Sequence, residues 1–260
     1  IHLGTGLITN ERYEPEFITK RINDCKSISY GIHSIGSYHT PISPVVASKL
    51  YKTVCIPKLC YGVETMEIQS DTLSSLEQFH STCAKEFQGL AKNCANIRSV
   101  RTLGWLSIEA MIDIARLLFM WRILLMPMSC LYKKILVQRI FQLLSKGNNQ
   151  GPTWNMINTC LKYGLAEEVI ASVESGIYIS YEGWKTYIKR INNYSQLKRW
   201  KVTSKLYKTL KYLQSEHNDD INIYFINKSR IGRINLHHKE PDKARQCRST
   251  LKLQLNKYRL

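Results

Sequence analysis

The sequence lacks a long hydrophobic run. Its greasiest stretch, residues 117–128, is interrupted by Arg122 and is shorter than the roughly 18 apolar residues that a membrane span needs, so no membrane partner is expected. No basic start followed by an apolar core opens the chain, and an intracellular location, nucleus or cytoplasm, is expected. Acidic residues are scarce: 20 Asp+Glu stand against 37 Lys+Arg in 260 residues, a formal net charge of +17. The eight cysteines never form Cys-x-x-Cys, and most sit where an apolar residue would serve. They read as reduced, buried small hydrophobes rather than as a disulfide framework. Cys55 and Cys60 straddle Pro57 without a second pair, and His237, His238 and Cys247 also lack one, so no structural zinc is expected. No glycine-rich loop ends in Gly-Lys-Ser or Gly-Lys-Thr, and no Gly-x-Ser-x-Gly occurs. Asp219-Asp220 has the outline of a polymerase carboxylate pair but no third carboxylate, and reads as turn material. Pro241-Asp242 has no acidic residue after it to complete a nuclease pattern. No catalytic residue is assigned.

What the sequence does have is unevenly placed positive charge. Residues 1–130 carry 13 basic and 11 acidic side chains, and residues 131–260 carry 24 and 9. A near-neutral half leads into a basic one, which points to a polyanionic partner, nucleic acid first. A merely basic, soluble surface is the plain alternative.

The hydrophobic pattern predicts a mainly α protein. Ile18, Ile22, Cys25, Ser29 and Ile32 recur at steps of 4, 3, 4 and 3 after Pro15, with Lys20, Arg21 and Lys26 outside. Val46, Leu50 and Val54 predict a second helix from Pro44, kinked or divided at Pro57. A third follows Ser70-Asp71, with Leu73, Leu76, Phe79, Cys83, Phe87 and Leu90 inward and Gly89 at its end. Ser107 caps a fourth, whose wide stripe is Ile108, Met111, Ile112, Ala115, Leu118, Phe119 and Arg122. A fifth spans 131–144, and residues 145–152 are rich in breakers. Beyond them the pattern predicts helices at 154–163, 165–174, 182–192, 194–213 and 242–258. Minor β is expected at the N-terminus and near 221–226.

The strongest functional signal is basic and aromatic interleaving. Lys185, Lys189, Arg190, Lys198, Arg199, Lys201, Lys205, Lys208 and Lys211 alternate with Tyr187, Tyr194, Trp200 and Tyr207. Cations neutralise phosphates and release counterions, and aromatic faces can stack unpaired bases. Lys198, Lys201, Lys205 and Lys208 fall at steps of 3, 4 and 3 and line one helical face. Trp184 and Trp200 also fit core positions, and a lysine face also suits plain solvation.

Several segments together resemble the C-terminal part of reverse transcriptases from non-LTR (LINE-type) retrotransposons. They are His2-Leu3-Gly4, similar to a primer-grip turn, then Lys20-Arg21-Ile22. The fullest is residues 50–64, Leu-Tyr-Lys-Thr-Val-Cys-Ile-Pro-Lys-Leu-Cys-Tyr-Gly-Val-Glu. Leu76-Glu77-Gln78-Phe79-His80 and Leu103-Gly104-Trp105-Leu106-Ser107-Ile108-Glu109 follow in order. The resemblance covers roughly residues 1–145. It implies that 1–14 trail from a palm, that 15–145 form a helical thumb and that, past the linker the breakers mark at 146–152, 153–260 is a basic helical nucleic-acid-binding region. The implied partner is RNA, DNA or RNA–DNA hybrid. The family's catalytic aspartates and their Mg²⁺ belong to a palm upstream, so the expectation is a fragment, unable to polymerise alone and holding no cofactor. A helical scaffold for partner proteins, or an enzyme with another site, are the rival readings.

Overall fold

The computed structural model describes residues 13–35, 43–146 and 151–206. Among these the chain is mainly α, with nine α-helices, a turn of 3-10 helix at Val63–Thr65 and no strand. The α-helices are α1 (Tyr13–Ser34), α2 (Pro44–Cys60), α3 (Ser70–Phe87), α4 (Asn96–Thr102), α5 (Ile108–Leu124), α6 (Leu131–Lys146), α7 (Pro152–Lys162), α8 (Ala166–Ser175) and α9 (Tyr181–Leu206). The described residues divide into two compact units. One holds α1 to α4 and the end of α9 from Leu197. The other holds Gly62–Gln69 and Glu109–Gln196. His2, Leu3, Gly4, Lys208, Lys211, Asp219-Asp220, the 221–226 strand and the 242–258 helix lie outside the described residues.

In the first unit α1 packs on α2 and α3. Its expected stripe is its buried face: Ile18, Ile22, Cys25, Ser29 and Ile32 are all inside, and Lys20 and Lys26 are exposed. Arg21 departs from expectation and is buried. Its guanidinium lies 3.9 Å from the centroid of the Phe17 ring and donates to the carbonyl of Tyr61, just past the end of α2. Stacking and a helix-terminal acceptor together offset the loss of water.

Helix α2 starts as its sequence dictates. The Ser43 hydroxyl accepts from the Val45 N–H at 3.3 Å, and Pro44 occupies the first turn. Its inner face is not the expected one. Val46 and Val54 are exposed, while Ala47, Ser48, Tyr51, Cys55 and Leu59 are buried. Pro57 does not divide the helix, which runs on to Cys60. In α3, Leu76, Phe79, Cys83 and Phe87 face inward as expected, and Gly89 leaves the helix at φ 61°. Leu90 is buried as well and Leu73 is half-buried. The short α4 has no counterpart in the hydrophobic pattern.

The second unit has its own core, built from Leu117, Met120, Trp121 and Leu124 of α5, Leu136 and Ile140 of α6, Met156, Ile157 and Cys160 of α7, Val169 of α8, and Trp184 and Ile188 of α9. Trp121 and Trp184 stack with centroids 3.9 Å apart. Their indole N–H groups donate to the carbonyls of Ile179 (3.0 Å) and Leu117 (3.3 Å), so neither polar atom is stranded. The inward face of α5 centres on Leu117, Met120, Trp121 and Leu124; the expected Arg122 is exposed. Helices on both sides of the 146–152 segment, α6 and α7, contribute to this one core.

The seven described cysteines are free thiols, and Cys25, Cys55, Cys83 and Cys160 are buried. Burial pushes the Cys83 and Cys160 thiols up to about 12, which keeps them protonated and unreactive.

Candidate nucleic-acid interface

The described candidate residues are carried by α9. The helices expected at 182–192 and 194–213 are here one continuous element through Asn193. The Ser180 hydroxyl opens it by accepting from the Gly183 N–H at 3.3 Å. Glu182 in the first turn pairs with Lys185 at 3.2 Å, so one of the candidate cations is already engaged. From Gly183 to Leu206 the helix carries seven Lys or Arg and no Asp or Glu.

The inner face of α9 is set by Trp184, Ile188 and Asn192, all buried at steps of four. Asn192 is polar at an apolar register position. Its Nδ2 donates to Tyr163 Oη at 2.9 Å and, more weakly, to the Ala110 carbonyl at 3.4 Å. Tyr163 in turn donates to Asp113 Oδ2 at 2.9 Å. Lys162 donates to the same oxygen at 2.6 Å and to Glu109 Oε1 at 2.7 Å. Burial alone would lower the Lys162 pKa, but the two carboxylates outweigh it and hold the ammonium above its ordinary value. This chain ties α5, α7 and α9 together and fixes which side of α9 faces out. The sequence signal for it was an asparagine four residues after Ile188.

The outer face follows from the same register. Thr186, Lys189, Arg190, Asn193 and Tyr194 fall at i, i+3, i+4, i+7 and i+8, opposite Trp184 and Ile188. Lys189, Arg190 and Tyr194 are exposed, as are Lys198 and Arg199 further along the helix. Among the described residues no carboxylate pairs with Lys189, Arg190 or Lys198. Lys201 and Lys205 also fall within α9. The aromatics separate into three kinds. Trp184 and Trp200 are core, as their positions allow. Tyr187 donates to Glu168 Oε1 at 2.7 Å, a bond that raises its pKa. Tyr194 is 71% exposed.

Tyr51 of α2, His80 of α3 and Trp105, from three of the segments singled out in the sequence, meet in one buried aromatic cluster. Tyr51 stacks on Trp105 with centroids 4.6 Å apart and planes 7° apart, and His80 lies 4.8 Å from the same ring. His80 Nε2 faces the Leu106 carbonyl at 3.0 Å, which can only accept, so Nε2 carries the hydrogen. Nδ1 is then the acceptor for the Tyr51 hydroxyl, also at 3.0 Å. The Trp105 indole donates to Ser48 Oγ at 2.6 Å. Burial, with the Lys52 charge acting in the same direction and the Leu106 bond opposing, pushes His80 down to about 4. Lys52 itself donates to the Gly104 carbonyl at 3.4 Å, and burial lowers it to about 8. The cluster is packing chemistry: every described polar atom in it faces another protein atom.

Among the described residues no group of three or more His, Cys, Asp or Glu side chains stands close enough to hold a metal ion. None of the described helices is long and apolar enough to cross a membrane. No protein-family model, no curated protein and no solved structure matches this chain.

Proposed function

We propose that this chain is a nucleic-acid-binding helical module, resembling the thumb and downstream region of a LINE-type reverse transcriptase. The observation that carries the reading is α9, whose residues from Gly183 onward bear seven cations and no carboxylate, with Lys189, Arg190 and Lys198 exposed. Like charges on one element repel each other, and a phosphate backbone relieves that repulsion while releasing its counterions. Binding is therefore driven by charge and shape, with RNA, DNA or an RNA–DNA hybrid as partner and no base-edge readout. The test is the charge reversal Lys198→Glu, Lys201→Glu and Lys205→Glu together. It should weaken binding of an RNA–DNA hybrid and flatten the salt dependence. Unchanged affinity and slope would contradict the role of this helix.

A second reading has one observation in its favour. On and just before α6, Met128, Leu131, Tyr132 and Ile135 are exposed at helical spacing. That apolar stripe suits a scaffold for a partner helix. Such binding would be insensitive to salt, which separates the two readings.

A further inference from the structure

We infer that the outer face of α9 is a platform for single-stranded nucleic acid, with Tyr194 stacking on an unpaired base and Lys189 and Arg190 taking the adjacent phosphates. The inference rests on the nucleic-acid reading above and names the form of nucleic acid that this face selects. The aromatics of the basic stretch are not equivalent. Trp184 is fully buried, Trp200 is 5% exposed, and Tyr187 is hydrogen-bonded to Glu168, whereas Tyr194 presents its ring to solvent at 71% exposure. Arg190 lies one helical turn before Tyr194 on the same face, about 6 Å along the axis. Lys189 and Asn193 flank that pair at i−5 and i−1 from Tyr194, and Thr186 completes the ridge.

A cation and a bare aromatic ring one turn apart match the two halves of a nucleotide. The guanidinium and ammonium meet phosphate; the ring meets a base face. In a duplex each base face is already covered by its neighbours, so the ring gains a stack only where the strand is unpaired. Neither cation has a carboxylate partner among the described residues, so binding does not first have to break an ion pair. The face is also pre-formed. The opposite side of the helix is held by the Trp121–Trp184 stack and by the bonds of Asn192 to Tyr163 and Ala110.

The test uses the full chain, a fluorescein-labelled single-stranded RNA of mixed sequence, and the same RNA annealed to complementary DNA. Fluorescence anisotropy gives the affinity for each. Tyr194→Ala should lose about fivefold or more in affinity for the single strand and change hybrid binding by less than about twofold. Tyr194→Phe keeps the ring and should retain single-strand affinity. Lys189→Glu with Arg190→Glu should weaken the single strand strongly and flatten its salt dependence. If Tyr194→Ala leaves single-strand binding intact, or weakens strand and hybrid equally, the stacking platform is wrong while nucleic-acid binding stands. If the unaltered chain binds neither probe, the platform and the reading beneath it both fall.

Discussion

His80 is held neutral by what surrounds it. Its pKa of about 4 lies below the ordinary 6.5, so the folded-state value is depressed. Above pH 6.5 neither state is protonated and the stability is fully present. As pH falls from about 6.5 to about 4, the unfolded chain takes up a proton that the folded chain refuses, and about 3 kcal/mol is lost. Urea unfolding across that window checks this: His80→Gln should make the fall with pH shallower, and identical slopes would contradict the assignment. Tyr51→Phe removes the donor to His80 Nδ1 and strands a buried acceptor, at a cost of about 1–3 kcal/mol. In the second unit, Trp121→Ala deletes one half of the stacked pair and leaves a cavity, costing about 3–5 kcal/mol in chemical unfolding.

At the scale of elements, α9 makes the sharpest claim. Because it is one helix through Asn193, Asn193→Pro should remove an internal hydrogen bond, clash with the preceding turn and cost about 3 kcal/mol or more, with a matching loss of helical circular dichroism. If the chain were broken at that point, as the sequence pattern predicts, proline there would be tolerated. The mismatch has a physical origin. Asn192-Asn193-Tyr194 reads as polar turn material in sequence, yet Asn192 spends its polarity inward on Tyr163, a partner 29 residues away. Helix α1 was legible because its apolar residues form a single stripe. Helix α2 carries two stripes at a step of four, Val46–Leu50–Val54 and Tyr51–Cys55–Leu59. The second is buried because Tyr51 finds Trp105 to stack on and His80 to receive its hydroxyl hydrogen, neither of which local periodicity reveals. The cations of the candidate interface were plain in the sequence. Which of its aromatics is free was not, since that depends on Glu168 reaching Tyr187 and on the core claiming Trp184 and Trp200.

For the whole molecule the governing fact is a charge of +17 placed mostly in the second half of the chain. Buried polar groups find partners within each unit: Asp113 with Lys162 and Tyr163 in one, His80 with Leu106 and Tyr51 in the other. Lys189, Arg190 and Lys198 are exposed and have no carboxylate partner among the described residues. Their removal should leave stability within about 0.5 kcal/mol. Nucleic-acid binding is tested most directly by the affinity of the full chain for an RNA–DNA hybrid as a function of salt. Log affinity should fall linearly with log salt, with a slope about two smaller in magnitude for Lys198→Glu with Lys201→Glu. An affinity that ignores salt, or a slope unmoved by that double substitution, would contradict it.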